Sequence, residues 1–385
     1  MAKWKRWMGL ASNAEDRLDR LKHRLARRLG RIGPVQIVPY RGFGSERGWY
    51  LKGRVLEDKG LKPATQQATV WQNLREMYKR FETDEIPGVR VRARLGELEQ
   101  VVTTDGEGYF EVRFQPTSPL LPDRVWYEID LELLDEVVPG QGVVKARGQV
   151  LIPPLTSQFG IISDVDDTVL QSSATSKFRM LRLTLLRNAR TRLPFEGVAA
   201  FYRALQRGNT GADGNPLFYV SSSSWNLYDF LVEFCAVNGI PEGPLLLRDI
   251  GFDRENLFRS SHQSHKMAQI EAILIAYPSL PFLLIGDSGQ HDPEIYRKVV
   301  EDFPGRIRTI YIREVTTELR REQVHALDQA LQGTGVQMLL VKDTVEAAAH
   351  AIGHGYIHPD AMTEIRVEKK ADEGIATDAD GKLKK

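Results

Sequence analysis

The hydrophobic period of this chain changes to two at Val35 and changes again after Pro153-Pro154, and the second change constrains the fold more than any other feature. Between the two changes, apart from one helical stretch, apolar residues recur at every second position. Val89, Val91, Ala93 and Leu95 alternate with Arg90, Arg92 and Arg94; Phe110, Val112 and Phe114 follow the turn signal Asp105-Gly106; Trp126 to Leu133 and Val143 to Ile152 add further strands. Such alternation suits sheets with one face on a core, so residues 34–155 are expected to form an antiparallel β-sandwich. After the second change come short apolar runs, Gly160 to Ser163, Leu217 to Ser221, Phe282 to Gly286, Arg308 to Ile312 and Met338 to Val341, separated by helical stretches. That pattern predicts an α/β domain with a mainly parallel sheet over residues 156–360.

Two flanks and one insertion complete the expected organisation. Residues 1–33 read as a basic amphipathic helix, with Leu18, Leu21, Leu25 and Leu29 on one face and a stop at Gly33-Pro34. A second helix is expected within the sandwich, from Thr65 to Phe81. Residues 361–385 have almost no large apolar side chains and are expected to be disordered.

A hydrophobic content of 42% with 27% charged residues excludes collagen-like and wholly disordered chains. The one cysteine, Cys235, lies among Phe230, Leu231 and Phe234 at helical spacing, which predicts a buried thiol in a reducing compartment. No run approaches the roughly 18 apolar residues of a membrane span, and the expected location is cytoplasmic. The charge is uneven: residues 1–31 carry ten Lys/Arg against three acids, a net of +7 in a chain of net charge +1.

The sharpest motif is Ile161-Ile162-Ser163-Asp164-Val165-Asp166-Asp167-Thr168. Asp164 and Asp166, two apart at the end of an apolar strand, leave it on the same side, at the carboxyl edge where open α/β sheets bind ligands. Such a pair suits phosphoryl transfer: one carboxylate attacks phosphorus, and its neighbour protonates the leaving oxygen and then activates water. A charged turn after a buried strand is the alternative. Three elements in order strengthen the first reading. Ser221 ends the strand Phe218-Tyr219-Val220 and can hydrogen-bond a phosphoryl oxygen, although a capping or turn serine is the simpler role. Lys266 opens a helix with Met267, Ile270, Ile273 and Leu274 at core spacing, and can pair with nucleophile and phosphate; a solvated lysine is its alternative. Finally Phe282 to Gly286 runs into Asp287-Ser288-Gly289-Gln290-His291-Asp292, whose two carboxylates suit Mg²⁺. His262, His265 and His291 stand among these acids without thiolates, which disfavours zinc.

This set resembles the four motifs of the haloacid dehalogenase superfamily over roughly residues 158–358. More specifically it resembles the actin-patch phosphatidate phosphatase family, through Asp164 to Thr168, Pro244 to Asp249 and Gly286 to Glu294, and in the preceding domain through Pro39 to Gly44 and Lys52 to Leu56. The second motif departs from it: Ser222-Ser223-Ser224-Trp225 stands where the family often has Asn-Ser-Pro-Trp, and the cytoskeletal role of fungal members is not expected to carry over. The resemblance implies a haloacid-dehalogenase-like domain with Asp164 as nucleophile and Mg²⁺ ligand. It implies Asp166 as general acid/base offering its backbone carbonyl to the metal, Ser221 and Lys266 as catalytic partners, Asp287 as a further ligand, and Asp292 acting through water or holding Lys266.

The expected activity is thus a Mg²⁺-dependent phosphatase, with phosphatidate or a related phospholipid as substrate. A soluble phosphate ester, or a non-catalytic membrane-binding role, is the alternative. An anionic phospholipid or membrane surface is the expected partner, met peripherally by the N-terminal segment with Trp4 and Trp7, or by the acid-free stretch from Thr168 to Phe195. No nucleic-acid partner is expected, and the sequence does not identify a protein partner for the sandwich.

Overall fold

The computed structural model describes residues 33–58, 85–115, 124–165, 197–248, 262–315 and 318–379. The helix expected over 1–33 lies, but for Gly33, outside these residues, as do the whole of the helix expected over 65–81, the stretch 168–195, and Asp166. The chain divides into two compact units, residues 1–120 with 126–150 and residues 121–125 with 151–385.

The first unit is an antiparallel-rich sheet. Its strands are β1 (Val35–Pro39), β2 (Gly42–Ser45), β3 (Gly48–Glu57), β4 (Arg90–Leu95), β5 (Leu98–Thr103), β6 (Tyr109–Phe114), β7 (Trp126–Leu133) and β8 (Lys145–Leu151). Where a sandwich is expected, the strands form one eight-stranded hydrogen-bonded sheet, ordered β1-β3-β2-β8-β7-β4-β5 with β6 on β3. β3 is ten residues long and engages three partners, β1, β2 and β6, all antiparallel. The alternation does what the period predicts: Val91 and Ala93 are buried, while Arg90, Arg92 and Arg94 between them pair with Asp135, Glu132 and Glu99.

The second unit is a parallel sheet of six strands, β9 (Gly160–Asp164), β10 (Leu217–Ser224), β11 (Leu245–Arg248), β12 (Phe282–Asp287), β13 (Ile307–Arg313) and β14 (Gln337–Val341). Their order is β11-β10-β9-β12-β13-β14, with every neighbour parallel. Ile161, Ile162, Leu283, Leu284, Ile310 and Ile312 are fully buried, as apolar runs of a sheet covered on both faces must be. The helices are α1 (Val198–Arg207), α2 (Tyr228–Val237), α3 (His262–Ala276), α4 (Asp292–Asp302), α5 (Glu318–Ala330), α6 (Thr344–Gly353) and α7 (Ala361–Ala379). α1 packs with α6 and α7, whereas α4 packs with α3 and α5. Right-handed crossovers produce two such layers when strand order reverses midway. The reversal falls between β9 and β12, the point at which open α/β sheets bind ligands at the carboxyl ends of their strands.

The disorder expected over 361–385 is corrected for residues 361–379: α7 is a helix of 19 residues with Ile365 fully buried. Its charges have fixed partners, which composition cannot show. Glu364 and Glu368 pair with Arg203, Glu364 also with Arg207, and Lys369 with Asp343. Glu368 and Asp372 accept hydrogen bonds from the backbone N–H groups of Ala200 and Gly197, both at 2.7 Å, so α7 caps the start of α1. Among the described residues no helix is long and apolar enough to cross a membrane.

Candidate active site

Asp164 is the last residue of β9 and Asp287 the last of β12. Ser163 lies opposite Ile285 in the register, so the two strands finish side by side at the reversal point with their acids at its rim. Lys266 reaches the same place from α3. It stands four residues before Ile270, which with Ile273 is fully buried, so the helical period carries the lysine onto the core face. Its Nζ is 2.7 Å from Asp164 Oδ1 and 2.5 Å from Asp292 Oδ1. Burial acts to lower the pKa of this amine, but the two carboxylate charges and their hydrogen bonds outweigh it, and the net direction is upward. Lys266 is held as an ammonium.

Asp292 opens α4 and is completely buried. Its Oδ1 holds Lys266, and its Oδ2 accepts from the Asp287 N–H at 3.1 Å. Gly286 makes that approach possible: a Cβ there would lie 2.5 Å from Asp292 Oδ2. Asp287 Oδ1 accepts from the N–H groups of Gly289 at 2.7 Å and Gln290 at 3.1 Å, closing the turn on its own side chain. One carboxylate oxygen from each of Asp164, Asp287 and Asp292 lies within 4.8 Å of the others. Three hard oxygen donors this close together could hold a divalent cation.

Ser221 is fully buried on β10, one residue past Val220, which pairs with Asp164. Its Oγ accepts from the Ser223 N–H at 3.0 Å, whereas the capping role belongs to Ser224, which accepts from Asn226. The structure thus gathers Asp164, Lys266, Asp287 and Asp292, and sets Ser221 on the adjoining strand. Asp166 and Asp249 lie outside the described residues.

Several supporting residues have no sequence signal of their own. Ser163 Oγ donates to the Asp164 carbonyl at 3.0 Å and lies 2.6 Å from the hydroxyl of Tyr202, a phenol whose ionisation burial opposes. Tyr296 of α4 donates to the Ile285 carbonyl at 2.9 Å, locking that helix to β12. Gln269 donates to the Leu246 carbonyl at 2.8 Å, tying α3 to β11. Arg320 of α5 contacts the turn that follows Asp287.

Fold and site together define an α/β protein with a lysine-bridged carboxylate cluster at the switch point of a parallel sheet. Residues 159–314 match the family model described as phosphatidate phosphatase APP1, catalytic domain. Phosphatidate phosphatase APP1 of Saccharomyces cerevisiae is 29% identical over 214 residues, 55% of this chain and 34% of the relative. An uncharacterized protein of Schizosaccharomyces pombe is 28% identical over 245 residues, 61% of this chain and 39% of the relative. The matches span little more than a third of either relative. A carbohydrate acetylesterase from Xanthomonas citri gives a TM-score of 0.24 at 12% identity, covering 76% of this chain and 72% of its own, too distant to bear on fold or chemistry.

Proposed function

We propose that this chain is a divalent-metal-dependent phosphatase that hydrolyses phosphatidate or a related phospholipid through an aspartyl-phosphate on Asp164, on a haloacid-dehalogenase-like domain. The observation that carries this reading is the buried Asp164–Lys266–Asp292 bridge beside Asp287, inside the stretch that matches a phosphatidate phosphatase catalytic domain.

The residues divide the work as follows. A carboxylate oxygen of Asp164 attacks phosphorus, the ester P–O bond breaks, and the departing alkoxide takes a proton from Asp166. Asp166 then removes a proton from water, whose oxygen attacks the phosphoaspartate and returns Asp164 with release of phosphate. Lys266 offsets the charge of nucleophile and phosphoryl group, and Ser221 donates to a phosphoryl oxygen. Asp164, Asp287 and the Asp166 carbonyl would hold Mg²⁺, with Asp292 behind them through water or Lys266; the ion supplies Lewis-acid neutralisation of nucleophile and phosphate.

The substrate lies in a bilayer, so the enzyme must come to a surface. Residues 1–31, with their net charge of +7 and Trp4 and Trp7, would supply a salt-sensitive attraction to anionic lipid. The test is release of phosphate from vesicles containing phosphatidate, set beside soluble phosphomonoesters, with and without Mg²⁺ and with residues 1–31 deleted. Hydrolysis of phosphatidate that needs Mg²⁺ supports the reading. Turnover confined to soluble esters overturns the lipid assignment, and no phosphatase activity on any of them overturns the reaction.

A further inference from the structure

Arg320, on α5, directs four of its five N–H groups at the segment between Asp287 and Glu294. Its Nε donates to the Ser288 carbonyl at 2.9 Å and Nη2 to the Gln290 carbonyl at 2.7 Å. Nη1 and Nη2 grip the two oxygens of Glu294 at 2.5 and 2.8 Å, and Nη1 also reaches Gln323 Oε1 at 3.2 Å. A guanidinium has five N–H groups, and these five contacts use them all. Burial opposes ionisation of Glu294, but its hydrogen bonds to Arg320 prevail and hold the carboxyl below the usual range.

The consequence comes from peptide planarity. The Ser288 carbonyl and the Gly289 N–H belong to one rigid plane and point opposite ways. Arg320 holds the carbonyl edge, while the N–H edge donates to Asp287 Oδ1 at 2.7 Å. Fixing one edge therefore aims the other. At the far end, Glu294 sits two residues past Asp292 in the first turn of α4, so the same guanidinium also fixes the helix start that carries Asp292. Ser288 secures the turn from another side: its N–H donates to the Arg313 carbonyl and its Oγ accepts from the Val315 N–H.

We infer that Arg320 is a positioning residue for the metal site, setting the orientation of the Asp287 carboxylate through the 288–289 peptide; this rests on the metal-dependent reading above. Outer contacts of this kind typically change metal affinity by about 10- to 100-fold.

The test is Mn²⁺ titration of the full chain, followed by the loss of the free-ion electron paramagnetic resonance signal, with melting temperature measured alongside. Arg320→Met should weaken Mn²⁺ binding by about tenfold or more. Arg320→Lys should fall between it and wild type, because an ammonium cannot span two carbonyls and a carboxylate at once. Glu294→Gln keeps both carbonyl contacts and should cost less than Arg320→Met. Wild-type Mn²⁺ affinity in whichever Arg320 variant folds, while Asp287→Asn abolishes binding, overturns the role of Arg320 and leaves the metal reading standing. A wild-type chain that takes up no Mn²⁺ overturns the metal reading and this inference with it.

Discussion

Lys266 and Asp164 form an ion pair 2.7 Å long in which the two side chains are only 2% and 4% exposed. Neither charge is solvated well enough to stand alone, and Asp292 shares the same ammonium. The site therefore holds opposed charges that the protein keeps together by burial, and its stability and its chemistry respond to the same substitutions.

Lys266→Met removes the ammonium and leaves Asp164 facing Asp292 as like charges. Breaking a buried pair in this way costs about 3 to 5 kcal/mol, so the urea midpoint should fall steeply. Adding Asp292→Asn to the methionine variant should recover part of the loss. A single variant as stable as wild type would show that the bridge does not form in solution.

Asp164→Asn should lower phosphate release on the order of 10⁴-fold, because an amide is a poor nucleophile. The fold should persist, since asparagine keeps the shape of the side chain at the end of β9. Circular dichroism beside the assay separates the two effects, and ready turnover by a folded variant would exclude covalent chemistry at this residue. Asp166→Asn should also be severely impaired, for want of the proton donor.

Chelation should silence phosphatase activity, with Mg²⁺ restoring it and Ca²⁺ failing to. The larger ion takes longer bonds and more ligands than three clustered carboxylates and a tight turn offer. Full activity after exhaustive EDTA treatment is the result that defeats this expectation.

His350 makes the second unit acid-sensitive. The Tyr311 hydroxyl donates to its Nδ1 at 2.9 Å and its Nε2 donates to Gln337 Oε1 at 3.1 Å, the tautomer that satisfies a neutral ring. Burial first, and then the neighbouring His354, push its pKa down from 6.5 to about 4. The unfolded chain thus binds this proton more tightly than the folded one. The contribution of His350 to stability is complete above about pH 6.5 and is lost as pH falls toward 4. Melting temperatures across that window should decline in wild type and decline less in His350→Gln. Parallel curves would assign the acid sensitivity elsewhere.

Much of this arrangement is legible in the residues, and the reasons differ by element. The period of two and the apolar runs mark most strands because burial on one or both faces acts on neighbouring positions. Lys266 is legible for the same reason, lying in register with Ile270 and Ile273, so its burial follows from the stripe. β11 is harder: Leu245–Arg248 is four residues long, and the Pro-Leu-Leu-Leu-Arg stretch stands out as a motif before it does as a strand. Arg320 and α7 are not legible at all. Each is charged like any solvated helix, and its meaning lies in partners far along the chain: Ser288 and Glu294 for the first, Arg203 and Gly197 for the second.

The capping of α1 by α7 also fixes an order of events at the ribosome. The N–H of Gly197 finds its acceptor on Asp372, 175 residues further on. At about 5 to 20 residues per second, that acceptor is synthesised roughly 9 to 35 s after the helix it completes. Through that interval the nascent α1 carries open donors at its start and lacks the partner that covers it. The parallel sheet can gather behind it, but this part of the unit locks only from its carboxyl-terminal side.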